Sequence, residues 1–373
     1  MLPVLRERAA KAEELRRLPD ETLRDFHEAE LFRIHQPKRV GGAELDFDAV
    51  VTFGALLATA CASTSWVWVN YSAHHMMLGM FPRKVQDEVW DVSRDALIAS
   101  SFVFPAAKAK KVKDGYVISG RWPFSSGVHP SEWNMLAGLA YLDDNAPPEQ
   151  RVFLLHRSQY EVVDNWYAGG LRGTGSMDCE ASETFVAEHR TLAVADTKGG
   201  PTPGSEVNPG PLFQMPVFAL FPYMLSGVPL GIAEGLIESF GPKAGRMTGA
   251  RIAEIQSTQI RFSEATAYAR ASRAAQLGNC AEAWNLISSG QVPDAKAKAR
   301  YRLEGAYAVE WAVRAVDVMF ALSGAAGLYE SGHAARAFRD AHAVKQHFSF
   351  NTDIAGTTHG RVALGLPSDN PTL

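Results

Sequence analysis

The chain has 373 residues, of which 46% are hydrophobic and 21% charged, and its formal net charge is −4. This proportion of apolar residues is enough for a large core, which excludes an intrinsically disordered chain. The slightly negative charge and the lack of a long Lys/Arg run argue against nucleic acid as a partner. The three cysteines are far apart in the sequence, so we predict a cytoplasmic protein without a disulfide framework or a metal site.

The first region, residues 1–95, is predicted to form an N-terminal helical domain. Apolar residues recur at helical spacing in residues 5–15, and Asp20 is expected to be the N-cap of the next helix. Two apolar segments, residues 47–62 and 65–80, predict further helices.

The second region, residues 96–205, is predicted to form a β-barrel or β-sandwich domain. Its short β-rich runs are separated by turn signals such as Asp114-Gly115. A lysine cluster at residues 108–113 is interpreted as a charged turn. The β-rich runs are residues 97–104, 116–119, 134–142, 151–155 and 182–186.

The third region, residues 206–373, is predicted to form a four-helix bundle, which makes the chain an α+β protein. Long helical patterns occupy residues 252–277, 294–322 and 334–346, with Asp294 as the expected N-cap of the second. The longest apolar segment, residues 213–230, is interrupted by three prolines, so we expect a buried core segment and no membrane partner.

Three local sequences, in this order and spacing, resemble the acyl-CoA dehydrogenase fold along essentially the whole chain. They are Pro-Lys-Arg-Val-Gly-Gly at residues 37–42, Leu-Arg-Gly-Thr-Gly-Ser-Met-Asp at residues 171–178, and residues 323–340 with Arg339-Asp340. The resemblance implies a helical domain, a middle β domain and a C-terminal bundle.

The chain departs from that family where dehydrogenase chemistry is performed. The carboxylate base expected about nine residues after Arg339-Asp340 is absent, and the count reaches His347-Phe348-Ser349 instead. The family's Arg-x-x-Phe-Gly phosphate motif is also missing, and residues 241–246 stand near its place. An acyl-CoA dehydrogenase or oxidase with a relocated base remains an alternative.

A second branch of the same fold, the two-component flavin-dependent monooxygenases, is a better match. Four features carry this resemblance: His74-His75, Ser100-Ser101, Trp-Pro-Phe-Ser-Ser-Gly at residues 122–127, and His347. It implies an oxygenase component that receives reduced FMN or FAD from a separate NAD(P)H flavin reductase and forms a C4a-hydroperoxyflavin with O2. It also implies a homotetramer and an aromatic, phenolic or polycyclic, substrate.

The resemblance further implies roles for individual residues. His75 is the expected base for a phenol, with Ser101 steadying the same hydroxyl, and His347 is expected at the flavin edge. A hydroxyl near flavin N5 accepts a hydrogen bond without adding charge, and Ser126 is the candidate. The other expected cofactor residues are Trp122, Phe124, Gly127, Arg172 and Ser176, and the expected substrate residues are His74, Phe102 and Trp166.

Less specific interpretations remain open at this stage. Adjacent residues on a helix point about 100° apart, so only one of His74 and His75 faces a pocket easily, and His75 is preferred. The alternative is that both are structural histidines whose ring nitrogens are satisfied by hydrogen bonds. A relative that oxygenates nitrogen, sulfur or indole, and a non-catalytic member that has kept only the fold, are the remaining alternatives.

Overall fold

The N-terminal region is helical in the computed structural model, which describes residues 1–143, 146–244 and 252–373. Residues 241–246 stand near the place of the missing phosphate motif, and residues 245–246 of this segment lie outside the described residues. The first five helices are α1 Leu2–Leu15, α2 Asp20–Glu28, α3 Ala49–Ala58, α4 Ala62–Leu78 and α5 Arg83–Trp90.

The start of α2 differs from the prediction. Pro19 holds the N-cap position with extended backbone, and no side chain caps the helix there. Asp20 is instead the first helical residue, and its carboxylate accepts a hydrogen bond from Arg17. Because the φ of proline is preset, Pro19 serves as the N-cap, and the helix begins one residue earlier than expected.

Eight strands follow and form one mixed sheet. Its order is β6-β7-β3-β2-β4-β5-β8, and β1 pairs in parallel with β4. The strands are β1 Ile98–Ser101, β2 Ala107–Val112, β3 Gly115–Ser125, β4 Trp133–Tyr141, β5 Glu149–His156, β6 Glu161–Val163, β7 Met177–Ala187 and β8 Thr191–Ala193.

Strand β2 was missed because its lysines were interpreted as a turn. Ala107 and Ala109 are buried, whereas Lys108 and Lys110 between them are exposed. This is the period-two alternation of a strand with one solvated face. The lysine cluster is therefore the outer face of a strand, paired with β3 and β4.

The C-terminal region is helical, which confirms the α+β class and the order of helices, sheet and helices. Asp294 caps α8 by accepting a hydrogen bond from the backbone N–H of Ala297, as predicted. Helices α6 to α9 pack against one another, and α10 packs on α8. These helices are α6 Val217–Ala244, α7 Gln256–Ser288, α8 Ala295–Leu322, α9 His333–Lys345 and α10 Thr352–Ala363.

Helix α6 is the core of this region and runs through Pro222 and Pro229 without a break. Its apolar part, Val217–Phe240, is long enough to cross a membrane, but 94% of its most apolar window is buried inside the protein. Because Pro222 has no N–H, the carbonyl of Phe218 one turn earlier lacks its helical donor. Nη1 of Arg302 in α8 supplies one at 2.7 Å.

Candidate active site

One face of α4 lines a narrow cavity between α4 and α6. Asn70, Ala73, His74 and Met77 project from that face, at the three- and four-residue spacing of neighbours on a helix. Opposite them, α6 contributes Phe221 among other apolar residues. The cavity holds about 10 Å³, which is barely the space of one water molecule, so a ring-sized ligand requires side chains to move.

His74 presents an unprotonated nitrogen because of its hydrogen bond to the backbone. Nδ1 lies 2.6 Å from the carbonyl oxygen of Ile98, so Nδ1 carries the proton and donates it. Nε2 is then the acceptor. Burial lowers the pKa of His74 to about 4, so the ring is neutral at physiological pH.

His75 lies on a different face of α4 and does not line the cavity. Trp90 stacks on its ring and donates a 3.4 Å hydrogen bond to Nδ1, which is also 3.1 Å from Nε2 of Gln36. Burial lowers the pKa of His75 to about 3. About 100° of helical rotation separates the two side chains, so His74 lines the cavity and His75, preferred from the sequence, packs in the core.

His347 has the opposite tautomer to His74. It caps a short 3-10 turn: Nδ1 accepts a 3.3 Å hydrogen bond from the backbone N–H of Ser349 and lies 2.7 Å from the Ser349 hydroxyl, which can also donate to it. The proton of the neutral ring is therefore on Nε2, which is a donor. Burial lowers the pKa of His347 to about 3, so this neutral form persists at physiological pH.

Aromatic contacts join His347 to the cavity. Phe221 stacks on His347 with ring centroids 5.8 Å apart, and Phe102 meets Phe221 edge-on at 5.8 Å. Phe102 in turn lies 5.9 Å from His74. On the other side of His347, Trp66 makes an edge contact at 5.6 Å. The two histidines thus belong to one continuous group of rings.

Trp66 connects that group to a chain of hydroxyl groups with a fixed direction. Thr174 donates to the carbonyl oxygen of Leu171 at 2.9 Å, so Ser176, 2.6 Å away, must donate to Thr174. Ser126, 2.8 Å from Ser176, must then donate to Ser176. Trp66 Nε1–H donates to Ser126 at 2.9 Å. Ser126 has spent its only proton, and its remaining lone pair is available solely as an acceptor.

Two further contacts hold the turn that carries these hydroxyls, residues 171–176. The buried carboxylate of Asp340 in α9 accepts a 2.6 Å hydrogen bond from the N–H of Leu171, and burial raises the pKa of Asp340 to about 7. The hydroxyl of Ser63 in α4 accepts one from the N–H of Gly173 at 3.2 Å. The site is therefore assembled from α4, the sheet and α9.

Gly127 fixes the position of Ser126 next to it. Its φ is +70°, a left-handed conformation that glycine adopts without strain, and a Cβ there would lie 2.5 Å from the Tyr71 hydroxyl. That hydroxyl donates to the Gly127 carbonyl at 2.6 Å. Strand β3 is thereby tied to α4 at the predicted cofactor segment.

Several predicted residues lie away from the hydroxyl chain and the cavity. Trp122, predicted to contact the flavin, is fully buried in the core of the sheet, where Nε1 donates to the Ala137 carbonyl. Ser101 donates to the Pro123 carbonyl at 2.6 Å and does not line the cavity. The Arg172 guanidinium is directed towards Glu330, 2.8 Å away.

Phe124 and Trp166 form a pair on the outer side of the sheet. An irregularity in the register between β3 and β7 puts Phe124 at a φ of +64°, with 64% of the residue exposed. Trp166 packs edge-on against it and donates to the carbonyl oxygen of Leu171. Trp166, predicted to contact the substrate, is not among the residues that line the cavity.

Phe102 also borders a larger cleft of about 650 Å³. Phe348, Arg302 and the C-terminal residues 369–372 line this cleft as well. Phe102 lines both the cleft and the cavity.

Sequence reasoning missed Thr174, Phe221 and Arg302 as parts of the site. Thr174 lies inside the quoted 171–178 turn, but the direction of its hydrogen bond is visible only in three dimensions. Phe221 is one of many apolar residues in α6. Among the described residues, no group of three or more His, Cys, Asp or Glu side chains could hold a metal ion.

Comparison with known proteins supports the fold and the chemistry together. Residues 3–90 match the family model for the acyl-CoA dehydrogenase N-terminal domain, and residues 223–352 match that for the C-terminal domain. The flavin-dependent monooxygenase oxygenase subunit HsaA of Rhodococcus jostii is 32% identical over 98% of this chain and 97% of its own. The oxygenase component of an FADH(2)-dependent resorcinol hydroxylase of Rhizobium is 34% identical over 97% of this chain and 92% of its own.

A solved structure agrees along the whole chain. The crystal structure of 3-HSA hydroxylase from Rhodococcus sp. RHA1 superposes with a TM-score of 0.95 at 31% sequence identity. The superposition covers 100% of this chain and 97% of that one.

Proposed function

Because the chain belongs to the family of flavin-dependent monooxygenase oxygenase subunits, we propose that it is the oxygenase component of a two-component aromatic hydroxylase. The observation that carries the proposal is the fixed polarity of three uncharged groups. Ser126 is an acceptor, His74 Nε2 is an acceptor and His347 Nε2–H is a donor.

The residues present fit a reduced flavin. When bound, reduced FMN or FAD supplies the two electrons and the reaction with O2 that hydroxylation requires. Ser126 offers a lone pair to a ring N–H and no proton in return, which keeps that N–H in place without burying a charge. The resorcinol hydroxylase relative is named for its dependence on FADH2, which supports the same class of cofactor.

His74 is the residue we propose to act on the substrate. A phenol in the cavity would donate its hydroxyl proton to Nε2, which raises the electron density of the ring carbon beside the hydroxyl. Nδ1–H, held by the Ile98 carbonyl, keeps the imidazole in the accepting tautomer. This role replaces the one predicted for His75, and it favours phenols over sulfur, nitrogen or indole substrates.

His347 is proposed to stabilise negative charge on oxygen. Its Nε2–H is a neutral donor fixed by the Ser349 N–H bond, so it needs no reorganisation when charge develops nearby. By the residue count from Arg339-Asp340, the resemblance implies a carboxylate base near this position in a dehydrogenase, and a carboxylate there would repel the same charge.

The partners follow from the same reading. The relatives are named oxygenase subunits or components, and we propose that a separate NAD(P)H flavin reductase supplies this chain with reduced flavin in the cytoplasm. We further propose a homotetramer. Exposed Tyr307 in α8 and the exposed pair Leu328 and Tyr329 after it provide apolar surface for subunit contacts. Size-exclusion chromatography with light scattering measures the assembly.

The test of function uses chemically reduced FMN mixed anaerobically with the protein and then with O2 in a stopped-flow spectrophotometer. We expect a transient near-UV absorbance that free FMN does not give. Reoxidation at the rate of free FMN, with no transient, would refute the proposal.

Two variants of adjacent histidines test the residue roles. His74→Ala should keep the transient and lose about 10²- to 10⁴-fold in phenol hydroxylation rate, the usual size of general-base assistance. His75→Ala should lower the melting temperature and retain the hydroxylation yield of the folded fraction, because His75 contacts only core residues. Equal loss of hydroxylation in both variants would contradict the assignment to His74.

A further inference from the structure

Arg302 is a buried cation in α8. Only 6% of the residue is exposed, and it lies on the face of α8 that also carries the buried residues Ala299, Ala306 and Val309. Arg302 forms no ion pair with any acidic side chain in the described parts of the chain. Burial alone lowers its pKa, and no neighbouring charge raises it again.

Most of the Arg302 donors are unused. A guanidinium has five N–H groups in a planar fork. Nη1 donates to the Phe218 carbonyl that Pro222 leaves free, and it is 3.5 Å from the Thr372 hydroxyl. Nε is buried without a partner. The structural task of satisfying the Phe218 carbonyl therefore occupies one N–H, which a neutral side chain could also provide.

The guanidinium borders the cleft, and the cleft walls near it are largely aromatic and aliphatic. Phe102, Phe218 and Phe348 contribute rings to the same wall. Two carboxylates, Asp353 and Asp369, also line the cleft, but both are exposed, and Asp369 is 3.6 Å from Arg361. The charges of these two are screened by water to a degree that the buried Arg302 is not.

We infer that Arg302 binds an oxyanion, carboxylate or phosphate, of an aromatic ligand that occupies this cleft. A planar guanidinium with adjacent free N–H groups matches the two oxygens of such a group, and the aromatic walls match a ring attached to it. The identification of the ligand as a phenol or a flavin rests on the proposed function. It narrows the substrate to phenols with an acidic side chain, unless the phosphate of the flavin is the anion.

Phe102 connects this site to the proposed chemistry. It lines both the cleft and the cavity that His74 borders. A ligand held at its acidic end by Arg302 would direct its ring towards Phe102, and rotation of that side chain would open the cavity next to His74. The anion contact would thereby orient the phenol.

The test measures binding without turnover, so its result does not depend on the proposed oxygen chemistry. Calorimetry with p-hydroxyphenylacetate and p-cresol compares a phenol with and without a carboxylate. An anaerobic arm with reduced FMN and reduced riboflavin compares a flavin with and without a phosphate. Arg302→Gln should weaken the anionic member of one pair at least tenfold and change the neutral member less than twofold. The affected pair identifies the source of the anion.

Two further variants serve as controls for Arg302→Gln. Arg302→Lys retains the charge without the fork and should give an intermediate loss. Arg361→Gln removes a partly exposed cation whose carboxylate partner, Asp369, lines the same cleft, and it should change neither pair. Equal effects on charged and neutral members in both arms, or a loss in Arg361→Gln as large as in Arg302→Gln, would overturn the inference.

Discussion

The direction of the hydroxyl chain predicts that Ser176→Ala impairs the cofactor site although Ser176 need not touch the flavin. The substitution removes the acceptor of the Ser126 proton. That proton then turns to the free side of Ser126, so a donor replaces the lone pair that we propose to hold the flavin N–H. Ser176 is thus a positioning residue for Ser126.

The size of the effect follows from one lost neutral hydrogen bond. Such a bond contributes about 0.5–1.5 kcal/mol net. Since 1.36 kcal/mol is tenfold in rate, the transient formed with reduced FMN and O2 should decay about 2- to 13-fold faster. Hydrogen peroxide should rise at the expense of hydroxylated product, as measured by stopped-flow absorbance and a peroxide assay.

The matched control is Ser125→Ala. Ser125 is the fully buried serine next to Ser126, bonded to Asn134 and outside the hydroxyl chain. Ser125→Ala should leave both the decay rate of the transient and the peroxide yield unchanged. If Ser126→Ala shortens the transient and Ser176→Ala does not, the argument from hydrogen-bond direction is wrong.

Acid should destabilise the protein steeply below pH 6.5. Four buried histidines have folded pKa values below the unfolded value of 6.5: His35, His74, His75 and His347. The unfolded chain therefore takes up protons first as the pH falls. Each histidine lowers the free energy of unfolding by up to about 1.4 kcal/mol per pH unit, down to its folded pKa. Asp340, with a raised pKa of about 7, opposes this between pH 4 and 7, and Asp340→Asn should steepen the loss of melting temperature; an unchanged slope would contradict its burial as an acid. Phe102→Ala should lower the KM for bulky phenols in steady-state assays by opening the wall between cleft and cavity, and an unchanged KM would show that ligands enter elsewhere.

The order of elements was predictable because hydrophobic periodicity is local. Prediction from periodicity failed at β2, where lysines on the solvent-exposed face of a strand were interpreted as a turn. The choice between His74 and His75 depended on the rotation of α4, and Asn70, Ala73 and Met77 mark the cavity face only once the packing of α6 is known.

Other parts of the site had a weaker or no sequence signal. Arg302 falls in step with Ala299, Ala306 and Val309, so a charged residue on an apolar helical face was present in the sequence as a sign of function. The hydroxyl chain had none, because Trp66, Ser126 and Ser176 are distant in sequence and the direction of donation depends on the Leu171 carbonyl.

The contact between Asp340 and Leu171 makes the site dependent on the order of synthesis. The turn with the hydroxyl chain leaves the ribosome early, but its anchor in α9 and His347 follow some 170 residues later. The two halves of the site therefore come from distant parts of the chain, and a chain that stops before α9 would lack both the Asp340 anchor of the 171–176 turn and His347.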